Sequence, residues 1–488
     1  MATPKNILFI HCDQLRYDCL GYAGNPDIHT PHLDALARES TNYTDHFTVY
    51  PICTPSRYSL WSGLYVHQHC AWNNGASLPN GFPTMPGILR DHGFDTAVVG
   101  KMHFTPVYQD IGFSRMRLAE QNGLGRYADD YHFELAQKGK IDKVDLNYQS
   151  QEFSLKPSTQ VVDMAQCLTS DLSAEEHTTG WTTRGALEEI EKWDEGSHML
   201  MVGYIKPHHP FDPPKPYDTM YDPAKLTMLP DYTDRAFPWD TKYQPGILDY
   251  DKLTESDIRQ AMAYYYGAIT QIDDGVGQIV ELLKAKGLYE DTMIVFTADH
   301  GDYLGQHHML LKCNHMYDSL EKIPLLIKYP GREGAVDHRL CENIDIMPTV
   351  LDAMGIEGPE TMQGKSLLGE DKRSYVFAEG QYGTQKEPCL GYMVRNRDYK
   401  LLVRGTLEDG MLFDLKKDPW EKENVFHDPA YAEALAQMKN CLIQTMLFTG
   451  AGKLHCDVNA PQTTPQSVQD ERRKVVRDLI QKQWNGEL

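Results

Sequence analysis

The chain has 488 residues, enough for one large hydrophobic core or two unequal domains. Its net charge of −22 argues against nucleic acid and anionic membrane surfaces as partners, so an anionic ligand would have to be met by a local cationic pocket. No run is apolar enough to span a membrane as a helix, and ten cysteines without regular spacing or a CxxC pair exclude a disulfide framework and a zinc-ribbon pattern.

Asn6 to Ile10 is a short apolar run that reads as a buried parallel strand, and it ends in His11-Cys12-Asp13-Gln14. Carboxylate and amide oxygens directly after a buried strand suit a hard cation. The first residues carry no signal-peptide pattern, so a cytoplasmic location is expected; a removed leader would place the chain in the periplasm or outside the cell. Thr30-Pro31 opens a helix through Arg38. Ile52-Cys53-Thr54-Pro55-Ser56-Arg57 then reads as a helix start, with Thr54 as N-cap, Pro55 at the first helical position and Gly63 as terminator. Backbone N–H groups at such a start favour an anion, and Arg57 adds a planar fork of donors.

Met85 to His92 is a helix closed by Gly93, and Asp95 to Val99 is a second buried strand running into Gly100-Lys101-Met102-His103. Residues 105–195 read as variable loops with one helix near Thr182–Trp193. A third apolar run, His198 to Ile205, leads into Lys206-Pro207-His208-His209-Pro210, and a Pro- and Asp-rich excursion fills 212–250. Thr254 to Lys286 is the longest helical pattern, capped by Thr254 with Asp257 and closed by Gly287. A fourth buried strand, Thr292 to Thr297, ends in Ala298-Asp299-His300, and Lys312 follows before a fifth strand, Ile323 to Lys328. Past about residue 370 the texture changes to alternating antiparallel strands, a helix from Pro429 and a charged terminal helix from Thr464. The expected division is a catalytic domain over 1–370 and a smaller α+β subdomain over 371–488.

Four apolar strands, each followed at once by chemically capable residues, share one grammar. Open parallel sheets bind ligands beyond the carboxyl ends of their strands, so Asp13, Gln14, Lys101, His103, His208, Asp299 and His300 are expected on one edge. Cys53, on a helix following the first strand, can reach the same edge.

Together, Asn6–Gln14, the Cys53-Thr54-Pro55-Ser56-Arg57 box, Gly100–His103, Pro207–Pro210 and Thr297–Gly301 resemble the type I sulfatases of the alkaline-phosphatase-like superfamily. Leu412–Leu415 with Asp418–Glu421 resembles the C-terminal signature of that family. The resemblance implies an α/β/α sandwich around a mostly parallel sheet. It also implies hydrolysis of a small-molecule or saccharide sulfate ester. Cys53 would be oxidised by a formylglycine-generating enzyme, and one oxygen of the hydrated aldehyde would attack sulfur while the other allows release. Asp13, Gln14, Asp299 and His300, with the oxygen at Cys53, would hold one divalent cation. Arg57 would orient the diol, Lys101 and Lys312 would bind sulfate oxygens, His103 would take a proton as sulfate leaves, and His208 would protonate the leaving alcohol.

Many sulfatases carry a second aspartate where this chain has Gln14, and asparagine where it has His300. One carboxylate fewer leaves Mn²⁺ or Mg²⁺ open beside Ca²⁺. The Asp-Gln and Asp-His pairing also resembles phosphonate monoester hydrolases and choline sulfatases, so a phosphonate monoester or phosphodiester hydrolase is the alternative. The Lys101-x-His103 pair favours the sulfatase side. His209 rivals His208 as the acid, with the Pro-His-x-Pro spacing favouring His208. A cysteine phosphatase is disfavoured, because three residues between Cys53 and Arg57 are too few for a phosphate-cradling loop. Tyr108, Arg126, Trp239 and Arg395 are further pocket candidates; the alcohol and the oligomeric state are not encoded legibly.

Overall fold

A computed structural model describes residues 2–79, 81–121, 127–145, 167–243, 252–383, 388–449 and 464–487. Arg126, one of the pocket candidates, lies outside them, as does part of the 105–195 and 212–250 loops. The larger sheet has eight strands: β1 (Asn6–Asp13), β2 (Thr41–Phe47), β3 (Asp95–Gly100), β4 (Arg115–Leu118), β5 (His198–Pro207), β6 (Thr292–Ala298), β7 (Leu325–Lys328) and β8 (Ala335–Glu342). Their order is β4-β3-β5-β1-β6-β7-β2-β8. β7 runs antiparallel to both its neighbours, and every other pairing in this sheet is parallel.

Strand alternation divides the core. Leu8 and Ile10 of β1, with Val99, Leu200, Val202, Ile294 and Phe296, face the helices Glu255–Ala285 and Thr178–Glu191. Ile7 and Phe9, with Val98, Met199, Met201, Met293 and Val295, face Tyr58, Leu60, Trp61, Met347 and Val350 on the helices Cys53–Ser62 and Ile346–Ala353. Helices on both faces explain why these central strands are apolar runs rather than alternating patterns. The long helix Glu255–Ala285 begins with a capping box, Thr254 accepting from Asp257 N and the Asp257 side chain accepting from Thr254 N.

A second sheet of four antiparallel strands, in the order β12-β11-β10-β9, is built from β9 (Val376–Gly383), β10 (Pro388–Arg395), β11 (Tyr399–Arg404) and β12 (Gly410–Asp414). It braces the loop that carries Lys312. Lys400 on β11 is buried between Asp318 (2.8 Å) and Glu421 (2.7 Å), and Glu421 also accepts from Gln306 and from Asp318 N. The helix Ala432–Thr449 covers this sheet through Met438 and Leu442. The terminal helix Gln466–Trp484 crosses to the helix Asp130–Gln137, where Arg472 pairs with Asp130 at 2.6 Å.

Candidate active site

The four strands with the shared grammar, β3, β5, β1 and β6, are consecutive neighbours in the sheet. Their carboxyl ends therefore lie side by side. Asp13 pairs in register with Pro207, and Cys12 with Ala298. Lys101 is drawn against β5 by a bond from its N–H to Gly203 O at 2.7 Å. Gly100, at φ 98°, and Gly203 permit this approach, since a Cβ on Gly100 would meet Gly203 O at 2.1 Å.

The helix Cys53–Ser62 is buried along its whole length, and it starts two residues earlier than expected, with Ile52 as N-cap. Thr54 is not the cap. Its hydroxyl donates to His103 O at 2.7 Å, and its N–H donates to Asn74 Oδ1 at 3.1 Å. The turn through Lys101–His103 packs on this helix start and takes the hydroxyl a cap would have used. Ser56 Oγ donates to Asp299 O at 2.8 Å, tying the helix to the end of β6.

Cys53 Sγ is fully buried, 3.2 Å from His300 Nε2, 3.6 Å from Asp13 Oδ1 and 2.8 Å from Lys312 Nζ. Arg57 Nε donates to Asp299 at 2.8 Å, one terminal nitrogen to Asp13 at 3.0 Å and the other to Lys101 O at 3.2 Å. Lys101 Nζ lies 2.8 Å and Lys312 Nζ 3.7 Å from Asp13. Three cations thus face two carboxylates: the local cationic pocket that a chain of net charge −22 requires for an anion. Burial raises the Asp13 carboxyl, but Lys101, Lys312 and Arg57 outweigh it and hold the group well below the usual range.

Asp13, Cys53, Asp299 and His300 form a buried group whose ligand atoms all lie within 4.8 Å of one another. Two further observations fit a cation there. His300 Nδ1 donates to Gly301 O at 2.9 Å, so the lone pair of the ring is on Nε2, which faces Cys53. That is how a metal-binding imidazole is oriented. Gln14 Oε1 is buried and has no hydrogen-bond partner among the described residues. Oxygen donors with one imidazole suit Ca²⁺, Mn²⁺ or Mg²⁺.

His208 Nδ1 donates to His209 O at 2.5 Å, so its Nε2, 4.0 Å from Asp13 Oδ1, is the nitrogen that can gain a proton. The two imidazoles stack at 4.0 Å. His103 sits at φ 57° with both ring nitrogens buried and without a hydrogen-bond partner among the described residues. Burial, then the charge of Lys101, keeps His103 well below the ordinary imidazole value; burial, then Lys312, does so for His208. Burial, then Asp13, pushes the Cys53 thiol up to about 11, so a thiolate is disfavoured here.

Every expected site residue lies in this one cluster. The other candidates do not: Tyr108 donates to Asp130, Arg395 pairs with Asp318 and stacks on Phe47, and Trp239 stacks under Arg404. His67 pairs with Glu379, His69 with Ser59 and His307 with Asp240. Cys313 contacts the Tyr303 hydroxyl. Two buried acids escaped the sequence reading. Glu120 accepts from Met102 N and His103 N at 2.9 and 2.8 Å, and Asp302 accepts from the Gln14 amide. Asp302 could have been found, since it follows β6 in the same stretch as Asp299 and His300; Glu120 stands alone after β4 and carries no such mark.

A sulfatase family model matches residues 5–356, and a model described as N-sulphoglucosamine sulphohydrolase, C-terminal, matches residues 305–447. The chain is 31% identical to the multifunctional alkaline phosphatase superfamily protein PehA of Trinickia caryophylli, over 88% of this chain and 93% of that protein. It is 29% identical to an arylsulfatase of Clostridium perfringens, over 90% and 94%. Among solved structures it resembles a phosphonate monoester hydrolase from Silicibacter pomeroyi, with a TM-score of 0.76 and 27% identity, over 91% of this chain and 95% of that one.

Proposed function

The chain belongs to the sulfatase family within the alkaline phosphatase superfamily, and on that premise we propose that it hydrolyses a sulfate monoester with a formylglycine made from Cys53 and one divalent cation. The observation that carries the reading is the company of Cys53: a fully buried thiol, held protonated, among a cation-binding group and three fixed positive charges. Such surroundings suit an oxygen nucleophile acting on an anionic ester better than a thiolate.

A cation, Ca²⁺ in the first instance, would be held by Asp13, Gln14, Asp299, His300 and the oxygen at position 53, and would supply Lewis-acid activation of that oxygen. The aldehyde hydrate would supply the attacking oxygen and a second hydroxyl for release. Arg57 braces Asp13 and Asp299 and so acts on the diol through them. Lys101 and Lys312, buried beside Asp13 and Cys53, would bind the sulfate oxygens, where charge must be met in the transition state. His208, once a bound sulfate favours its protonated form, would give a proton from Nε2 to the leaving alkoxide, and His103, whose ring nitrogens have no hydrogen-bond partner among the described residues, would accept one from the second hydroxyl. Because Cys53 is sealed from solvent, the formylglycine-generating enzyme would have to act before this part of the chain folds. The matched C-terminal model favours a sulfated saccharide over a simple aryl ester.

A second reading, phosphonate monoester or phosphodiester hydrolysis on the same residues, is favoured by the likeness to the Silicibacter enzyme. Turnover of nitrophenyl sulfate, a phosphate diester and a phenyl phosphonate, with and without chelator, separates the two. Sulfate ester as the best substrate is expected; a dominant phosphonate or diester rate overturns the first reading. Mass spectrometry of the peptide ending at Arg57 should show the aldehyde, and an unmodified thiol in protein from a host that has the modifying enzyme would sink the mechanism.

A further inference from the structure

Gln14 is the neutral member of the oxygen donors, and its amide can face the cation with either end. Its backbone is fixed: Gln14 N donates to Asp299 Oδ1 at 3.0 Å, and the Tyr265 hydroxyl donates to Gln14 O at 2.5 Å. The residue stands at φ 65°, a conformation that requires such restraint. What remains is the direction of the amide. Nε2 donates to Asp302 Oδ2 at 2.5 Å, and Oε1 is left buried without a donor. An unsatisfied buried acceptor costs about 1–3 kcal/mol, so something must impose this direction.

Asp302 imposes it. Its Oδ1 accepts from Leu304 N at 2.8 Å and from Leu311 N at 3.0 Å, two backbone donors whose direction cannot be reversed. Both of these residues are themselves left-handed, at φ 42° and 65°. Burial raises the Asp302 carboxyl to about 7, against the Gln14 amide and the Leu304 and Leu311 N–H groups; above that pH the second carboxylate oxygen meets Gln14 as an acceptor, and only the NH₂ end of the amide can satisfy it. Oε1 is turned the other way.

We propose that Asp302 is a positioning residue for the cation: by holding the Gln14 NH₂, it commits Gln14 Oε1 to the ion, and through Leu311 N it joins that commitment to the loop that places Lys312 against Cys53. The proposal rests on the cation reading above. It is the carboxamide counterpart of the His300 arrangement, in which a bond on one ring nitrogen turns the other toward the ion.

The consequence is a reversal of polarity that mutation can impose and undo. In D302N the remaining Oδ1 keeps Leu304 N and Leu311 N, and an NH₂ replaces Oδ2. Gln14 must then turn its oxygen to Asn and its NH₂ to the cation. Q14E alone sets two carboxylates against each other. In Q14E/D302N, Glu accepts from Asn with one oxygen and faces the ion with the other.

The test is calorimetric titration of CaCl₂ and MnCl₂ into the full chain and these three variants, with thermal midpoints measured in chelator. D302N is expected to bind about 10–100-fold more weakly than the parent. The double variant is expected to recover most of that loss and to bind more tightly than either single variant. Parent-like binding by D302N overturns the proposal. So does a folded double variant that recovers nothing. Should D302N alone unfold, the double variant decides; if both unfold, Asp302 serves the fold and the proposal is overturned. No binding of either cation by the parent overturns the cation reading itself, and the proposal with it.

Discussion

Two groups of polar side chains meet at Cys53, and they differ in how fully they are bonded. Asp13, Asp299 and Arg57 form a closed set. Arg57 spends donors on both carboxylates and on Lys101 O, and Asp299 accepts from Arg57, Gln14 N and its own neighbour His300 N. Across from them, His103 has neither ring nitrogen bonded, and His208 keeps Nε2 4.0 Å from its nearest carboxylate oxygen. Lys101, 2.8 Å from Asp13, and Lys312, 2.8 Å from Cys53, stand between the two groups and bring positive charge to both. A saturated set is built to stay as it is. An unsaturated one, buried and cationic, holds its donors for a ligand the chain does not itself provide, and the ligand complementary to it is an anion.

The sharpest break tests the residue between the two groups. C53A should lower kcat by on the order of 10⁶-fold, the scale seen when a nucleophile is removed. Its unfolding midpoint should change little, because one small buried side chain is shortened. A residual rate within a few tens-fold of the parent, checked by steady-state assay on the best sulfate ester, would mean the chemistry runs elsewhere.

Next come variants that set one group against the other. H103Q removes no hydrogen bond, so urea unfolding should move little while kcat falls about 10²–10⁴-fold. R57A should do the opposite in emphasis. It strands Asp299 as a buried charge, leaves Asp13 to Lys101 and Lys312, and should cost about 3–5 kcal/mol in urea unfolding measured in chelator. Added Ca²⁺ should return part of that loss, since a cation between the two carboxylates replaces some of the missing charge. Equal stability losses in H103Q and R57A would mean that the two groups do not differ in how fully they are bonded.

That distinction also marks what a sequence can reveal. The strand-end residues were legible because each follows an apolar run, and the run dictates where the chain must stop and turn. The long helix was legible from its stripe and from Thr254 with Asp257, which do form the capping box. The strands β2, β4 and β8 were not. β4 and β8 are the sheet edges, where a strand needs no apolar run, and β2, between β7 and β8, is mostly polar. Thr54 was misread as a cap because His103 O competes for its hydroxyl, a contact between residues far apart in the chain. Glu120 and Asp302 escaped for a related reason. Their partners are mostly backbone N–H groups, and a backbone donor leaves no trace in residue type. The left-handed turns at Gln14 and His103 are equally silent, since neither is glycine.

The smallest expected effect concerns protons. Burial, partly offset by the charge of Asp345, lowers His46 to about 4, and burial likewise lowers His103 and His208. In the unfolded chain each imidazole returns to about 6.5. Between the folded and unfolded values the unfolded state binds more protons, so stability is full above about pH 6.5 and falls as the pH drops below it, by about 1.4 kcal/mol per pH unit per histidine. His46 lies on β2 under the charge of Asp345, whereas His103 and His208 lie under the charges of Lys101 and Lys312, which would receive an anion. A bound sulfate beside His103 and His208 favours their protonated forms, raises their folded values and shrinks their share of the acid slope. It leaves the share of His46 as it was. Urea unfolding from pH 7.5 to 5, with and without sodium sulfate at matched ionic strength, should therefore show a shallower acid slope in sulfate for the parent. H46Q should lose part of the slope in both conditions, and H103Q should lose part of the response to sulfate. A parent slope indifferent to sulfate would place these histidines with His46, as ordinary buried imidazoles, and the unsaturated side of Cys53 would then have no anion to wait for.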